Sequence, residues 1–281
     1  MKLREFFYSL GIKPQPKTYG YKIHEQVIDG KALRYAQWLH PRAYNGAVLP
    51  SEVDRLKGFL REGDVAIDIG AHMGDSTLPM ALAVGKTGVV IAFEANSYVF
   101  QTLSTNANLN PDLAKICAYN LAVTEENRLY EFSYNDPGFM NGGAVEKTRG
   151  FRRGDAFRQM VKGVRLTDFL AENFSNLISK IRYIKIDTEG YDLYILKSIS
   201  SLLAQVHPVV QAEVMRRTPA AYRYAMYDFL VEQGYEVHHY VGSKSELSVI
   251  PRDQMLEGDN FDLLCIHKSD VAKLSELRAA A

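Results

Sequence analysis

Val65-Ala66-Ile67-Asp68-Ile69-Gly70-Ala71-His72-Met73-Gly74-Asp75 is a short apolar run that ends on an acid, breaks into a glycine-bearing loop and leads into a helical pattern at residues 76–84. A buried strand, a tight loop and a helix in that order open an α/β sheet. The alternation repeats downstream. Strands are predicted at Val65–Ile69, Val89–Phe93, residues 116–123, Ile181–Ile186, Val209–Val214, Tyr235–Tyr240 and Phe261–His267, with helices at residues 76–84, 97–108, 193–203 and 219–233. Strands that are apolar throughout must be covered on both faces, which predicts a mostly parallel sheet with helices on both sides. Ligands of such a sheet sit beyond the carboxyl ends of its strands, and Asp68, Glu94, Asp187 and Glu213 each fall at one.

The loop after the first strand narrows the choice of ligand. Gly70 and Gly74 let the backbone turn sharply and approach a ligand closely, while the helix start offers unpaired amides. Their spacing departs from the G-x-G-x-x-G that seats a dinucleotide pyrophosphate, and Asp68 carries the wrong charge for one. A phosphate-free ligand fits better. Glu94, at the tip of the second strand, can accept both hydroxyls of a ribose, which belongs equally to NAD or to S-adenosylmethionine.

Taken together, Asp68-x-Gly70-x-x-x-Gly74, Val90-Ile91-Ala92-Phe93-Glu94 and Ile184-Lys185-Ile186-Asp187-Thr188-Glu189-Gly190 resemble the FkbM family of methyltransferases. Ala122-Val123 and Val164-Arg165-Leu166-Thr167-Asp168-Phe169-Leu170 fit that family's order, so the resemblance spans roughly residues 60–267. It implies a Rossmann-like seven-stranded methyltransferase sheet, mostly parallel with a reversed last strand. It also implies S-adenosyl-L-methionine as cofactor and O-methylation of a hydroxyl, often of a sugar. The cofactor contacts it implies are Asp68, Gly70, Ala71, His72, Gly74, Ser76, Glu94, Ala95, Asn96, Ala122 and Asp187. The chain departs from the family at His72, where Asn is usual, and at Ala95, where Pro is usual.

Methyl transfer to a hydroxyl requires alignment and removal of a proton. Asp187 and Glu213 end the fourth and fifth strands and Glu189 follows closely, so these three are the candidate catalytic residues. Crowded acids can raise one another's proton affinity and yield a base, or Asp187 and Glu213 can hold Mg²⁺, which favours carboxylates and waters. Both mechanisms use the same residues. His238 and His239 near the sixth strand are surface residues in the plainest reading, and at most one can face the site. Between strands three and four, an insertion at about residues 134–163 holds Gly142-Gly143 and the cations Lys147, Arg149, Arg152, Arg153, Arg158 and Lys162. The glycine pair reads as the hinge of a lid, and Arg152 and Arg153 as contacts for an anionic acceptor, against a solvated loop. Trp38, the single tryptophan, is a candidate wall for stacking a sugar.

The bulk properties set the limits. With 281 residues, 47% hydrophobic and 33 acids against 33 Lys plus Arg, the chain is one globular domain with no long-range pull toward nucleic acid. Residues 1–50 are expected as an N-terminal extension or cap and 51–270 as the methyltransferase domain, leaving 271–281 as a tail. In the extension, strands at residues 21–27 and 32–39 flank Asp29-Gly30. Ser51 then caps a helix that Gly63 ends. Cys117 and Cys265 lie in apolar runs as buried thiols, and no signal peptide or membrane span is visible, so the expected location is cytoplasmic. Two rivals share these features. A Rossmann-type NAD-dependent oxidoreductase would use the same sheet and Glu94 but needs the absent glycine fingerprint, and a catalytically inert methyltransferase-like binding protein would not need Asp187.

Overall fold

A parallel sheet needs strands that can be buried on both faces, and Val65–Ile69 is buried at every position. The computed structural model describes residues 12, 14–43, 47–134, 136–140, 142–145, 157–240 and 248–270. The N-terminal strands are β1 (Tyr21–Ile28) and β2 (Lys31–Trp38). The first predicted strands follow as β3 (Val65–Ile69), β4 (Val89–Phe93) and β5 (Lys115–Tyr119). Next come β6 (Ala122–Val123), β7 (Leu129–Tyr134), β8 (Gly143–Ala144) and β9 (Phe157–Val164). The series ends with β10 (Ile181–Ile186), β11 (Val209–Val214), β12 (Tyr235–Tyr240), β13 (Ser248–Val249) and β14 (Phe261–His267). Among the helices are α1 (Pro50–Lys57), α2 (Thr77–Val84), α3 (Ser97–Leu109) and α4 (Leu166–Asn173). The others are α5 (Asp192–Ser198), α6 (Ser200–Val206) and α7 (Ala220–Glu232).

The main sheet has eight strands, not the expected seven, in the order β13-β12-β14-β11-β10-β3-β4-β5. The stretch from β11 through β10, β3 and β4 to β5 is parallel, while β14 runs antiparallel to both β11 and β12, and the two-residue β13 adds an edge. Chain order proceeds outward from β3 in one direction and from β10 in the other, so the switch point and its crevice lie at the carboxyl ends of these two neighbours.

Several local expectations are corrected. The strand predicted at residues 116–123 divides: Lys115–Tyr119 belongs to the main sheet, and Ala122–Val123 pairs with β9 in a second, four-stranded sheet of order β6-β9-β7-β8. The helix predicted at residues 193–203 is two short helices that meet at Ile199. Ser51 does not cap α1, whose N-cap is Leu49 with Pro50 following, because proline's missing amide already removes one of the unpaired donors. Gly142 and Gly143 are held by the small sheet. Gly143 pairs with Ser133 in the ladder, and a Cβ on Gly142 would lie 1.7 Å from the Tyr134 ring. Residues 271–281 lie outside the described residues.

The N-terminal hairpin is docked on the domain. Asp29 and Gly30, both at positive φ, make its two-residue turn, and the ladder then pairs Ile28 with Lys31 through to Tyr21 with Trp38. The outer edge of β2 has backbone groups that two asparagines satisfy, one in α3 and one just past its end. Asn106 accepts from the Ala36 amide at 2.6 Å and donates to its carbonyl at 2.9 Å. Asn110 does the same for Arg34 at 2.9 and 2.7 Å. Of the two cysteines, Cys265 is buried and Cys117 only half-buried, and both are free. Among the described residues no helix is long and apolar enough to cross a membrane.

Candidate active site

The loop leaving β3 is held by its neighbours on both sides. The Gly70 and Ala71 amides donate to the Phe93 carbonyl at 2.9 and 3.0 Å, and the Asp187 amide donates to the Ile69 carbonyl at 3.0 Å. Gly70 has φ +81°, and a Cβ there would stand 1.9 Å from the Asp187 carbonyl oxygen. That glycine therefore permits the close approach of the segments that leave β3 and β10. Glu94, at the end of β4, accepts from the His72 amide at 2.8 Å through one oxygen and from the Asn96 amide at 2.7 Å through the other. Burial raises the proton affinity of its carboxyl, partly offset by His72 and these amides. Glu94 thus ties together the loops that follow β3 and β4.

These loops border a cavity of about 490 Å³. Leu121, Ala122, Val123, Phe132, Tyr134 and Phe139, which belong to one apolar cluster, line part of it, and Lys185, Asp187 and Glu189 give it a charged part. Gly70, His72, Ser76, Glu94, Ala95 and Asn96 line it as well. Asn96 also caps α3 by accepting from the Tyr98 amide at 2.9 Å, while its amide group donates to the Phe139 carbonyl at 2.8 Å. Three expected cofactor residues are placed otherwise. Asp68 is fully buried behind the loop, where one oxygen accepts from the Ser76 and Thr77 hydroxyls at 2.8 and 2.6 Å and Oδ1 has no hydrogen-bond partner among the described residues. Ala71 is buried and turned away from the cavity, and Gly74 packs on Leu103 of α3.

The acidic end is organised by a lysine that its apolar strand conceals. Lys185 donates to Asp187 Oδ2 at 2.9 Å. Burial works against its ammonium, but Asp187 and Asp68 outweigh that and hold it well above the ordinary lysine range. Glu213 stands apart from the cavity and accepts from the Asn260 amide at 3.0 Å. Burial, then Asp187, Asp192 and Glu189, push its carboxyl up to about 10. No group of three or more His, Cys, Asp or Glu among the described residues is placed to hold a metal ion, so the expected Mg²⁺ at Asp187 and Glu213 finds no support.

The other candidates are also displaced. Trp38 is completely buried, stacked on His40 at 4.7 Å and edge-on to His72 at 5.5 Å, so it supports the loop from behind and cannot wall an acceptor. His40 is packed beside Asp136 at 3.3 Å; burial, Arg42 and His72 lower its pKa to about 4. His238 is a fully buried residue of β12, not a surface one, and His239 meets Phe261 edge-on at 5.2 Å. Neither histidine lines the cavity. Arg152 and Arg153, with Lys147 and Arg149, lie outside the described residues, whereas Arg158 forms a two-pronged bond with Glu131 at 3.0 Å.

Sequence reasoning missed Asp192. It is completely buried at the start of α5, where one oxygen accepts from the Thr188 hydroxyl at 3.1 Å and from the Gly190 amide at 3.2 Å. Burial and then Asp187 raise its pKa to about 7. A raised acid pKa means that the folded state keeps a proton the unfolded state has lost, so stability falls as pH rises from about 4 to about 7 and is then constant. Asp192→Asn is accordingly expected to leave stability unchanged near pH 3.5 and to raise it at pH 8 by at most about 4 kcal/mol. Denaturant titrations of both proteins at the two pH values check this; a variant less stable at pH 8 would contradict it.

The Methyltransferase FkbM domain family matches residues 68–237, more than half of the chain. The chain belongs to the FkbM methyltransferase family. No curated protein matches it. Among solved structures, this FkbM methyltransferase is similar to methyltransferase FkbM from Methylobacillus flagellatus, at 14% identity and a TM-score of 0.44 over 73% of this chain. It spans only 44% of that protein's length. It is also similar to a SAM-dependent O-methyltransferase from Thermotoga maritima, at 12% identity and TM-score 0.43, covering 88% of this chain and 77% of that one. A third similar structure is Aeropyrum pernix fibrillarin with natively bound S-adenosyl-L-methionine, at 13% identity and TM-score 0.40, covering 90% and 97%.

Proposed function

We propose that the protein is an S-adenosylmethionine-dependent O-methyltransferase acting on a hydroxyl of a sugar, glycan or glycosylated small molecule. The observation that carries this reading is the single cavity joining the Glu94 carboxylate to Asp187 at the sheet's switch point. Its residues suit the cofactor. The apolar part at Leu121 to Val123 would take the adenine, Glu94 the ribose diol, and the Gly70–His72 turn the methionine end. A volume of about 490 Å³ lies within the range of small-molecule sites. When bound, S-adenosylmethionine supplies an electrophilic methyl group on a sulfonium.

The chain's own residues have the remaining tasks. Glu94 fixes the loop geometry through the His72 and Asn96 amides, and its other lone pairs remain for the ribose. Lys185 orients Asp187, whose Oδ1 has no partner among the described residues and would accept the proton of the acceptor hydroxyl. Calorimetry with S-adenosylmethionine and with NAD tests the cofactor assignment: binding of the first and not the second is expected, and the reverse would end this reading. Formation of S-adenosylhomocysteine then tests turnover against the inert-protein rival.

Glu94→Gln is expected to weaken S-adenosylmethionine binding by about 1.5–3 kcal/mol, the range for a hydrogen bond to a charged group. The glutamine keeps one acceptor for the loop amides, so a folded variant is expected. An unchanged dissociation constant in that folded variant would remove Glu94 from the ribose.

A further inference from the structure

A second cavity, of about 400 Å³, lies on the far side of Asp187, between the sheet and the segment formed by β2 and α1. Asp75, Ser76, Lys185 and Asp187 line both cavities, so the two adjoin at this group of residues. We propose that this second cavity is the acceptor site and that it takes a saccharide carrying no negative charge, with the reacting hydroxyl at the Asp187 junction. This rests on the methyltransferase reading of the first cavity and names the acceptor's place and class.

Charge and hydrogen bonding carry the assignment. Four carboxylates face the cavity, from Glu52, Asp75, Asp187 and Asp262, against two cations, Arg55 and Lys185. Both cations are already engaged: Lys185 with Asp187 at 2.9 Å, and Arg55 with Glu52 at 3.8 Å and over the Tyr240 ring at 4.1 Å. An anionic group entering here would meet Asp75 and Asp262 with no uncommitted cation among the described lining residues. Burial foremost raises the proton affinity of Glu52 and of Asp262, and a further anion beside them would add to that cost.

Hydroxyls fit the same surface. The Tyr183 hydroxyl donates to Gln211 at 2.6 Å, and Gln211 donates to Asp262 Oδ2 at 2.7 Å. This chain fixes the Asp262 carboxylate, and no described side chain takes its Oδ1. Glu52 projects from α1 on the opposite side, and Tyr35 contributes an aromatic ring. Carboxylates held on two walls are acceptors for a polyol's several O–H donors. The N-terminal segment thus becomes the acceptor wall, through Tyr35 and Glu52 and not through the buried Trp38.

The test uses methyl β-D-glucopyranoside as neutral probe and methyl β-D-glucuronide as its anionic counterpart, with binding to the full chain followed by saturation-transfer NMR. S-adenosylmethionine affinity is measured in parallel by calorimetry. The glucoside is expected to bind at least about tenfold more tightly than the glucuronide. Its dissociation constant should rise about tenfold in Glu52→Gln and in Asp262→Asn, the effect of one hydrogen bond to a charged group. Cofactor affinity and melting temperature should stay at wild-type values. Either variant suffices if the other fails to fold. Preference for the glucuronide, absence of binding by both probes, or a glucoside constant unmoved by both variants would overturn the proposal. Failure of wild type to bind S-adenosylmethionine would instead overturn the methyltransferase reading, while the glycoside measurements, made with and without cofactor, still decide what the second cavity takes.

Discussion

Asp187→Asn is expected to lower kcat by about 10²–10⁴-fold, the usual worth of general-base help, with little change in S-adenosylmethionine affinity. An aliphatic hydroxyl is a weak nucleophile until its proton leaves. Asp187 is the carboxylate common to both cavities whose position is fixed by a hydrogen bond, from Lys185 at 2.9 Å. An amide keeps the shape and one acceptor oxygen but cannot take a proton. The substitution also removes the hydrogen-bonded counter-charge of the buried Lys185 ammonium and leaves it Asp68 and Asp262, and a weakly compensated buried charge destabilises. A loss of rate could then reflect a loosened fold. The double variant Lys185→Met with Asp187→Asn separates the two effects: it is expected to restore the melting temperature but not kcat. Wild-type turnover in Asp187→Asn would sink the assignment and move the base to Glu189, which lines the same cavity.

The parts of this molecule that were legible in the sequence are those in which a local pattern has one physical solution. Runs such as Val65–Ile69 and Ile181–Ile186 must be buried on both faces, and their bounds follow from where the apolar residues stop. Glu94 and Asp187 were legible as residues because strand ends and switch points are determined by chain order. What stayed hidden depends on partners far away in the chain. Asn106, in α3, and Asn110, just past its end, look like ordinary polar residues, and only the edge of β2, some 70 residues earlier, explains them. Trp38 reads as a surface aromatic until Met73 and Val99 close over it. Lys185 appears as an interruption in an apolar strand, whereas Asp187 and Asp68 on neighbouring backbone make it the organising charge of the site. The small sheet escaped notice because β7 and β9 pair across the insertion and alternate in burial, a weaker signal than a continuous apolar run.

Gly70→Ala is expected to yield no stably folded protein, whereas Gly74→Ala should fold with a melting temperature lowered by about 3–8 °C. The backbone cost is common to both. Their φ values are +81° and +99°, a region that costs an L-residue roughly 1–2 kcal/mol, and a chain of this size loses about 2–4 °C per kcal/mol. The difference lies in what the new methyl group meets. At Gly74 the nearest atom is Leu103 Cδ1 at 3.1 Å, the end of a side chain that can shift. At Gly70 it is the Asp187 carbonyl oxygen at 1.9 Å, with the carbonyl carbon at 2.9 Å. That backbone cannot retreat, because the Asp187 amide is bound to Ile69 and the Gly70 amide to Phe93. Relief would require separating β3 from β10 at the centre of the sheet, and close-packed interiors do not deform by ångströms without losing contacts on both sides. The steric demand on Gly70 therefore comes from the close approach of the segments that leave β3 and β10, and not, as the loop's sequence alone suggests, from the bound cofactor. Thermal melts of the two purified variants without ligand decide the matter. Equal, modest losses at both positions would show that β10 gives way, and a Gly70→Ala protein that melts like wild type but no longer binds S-adenosylmethionine would return the demand to the cofactor.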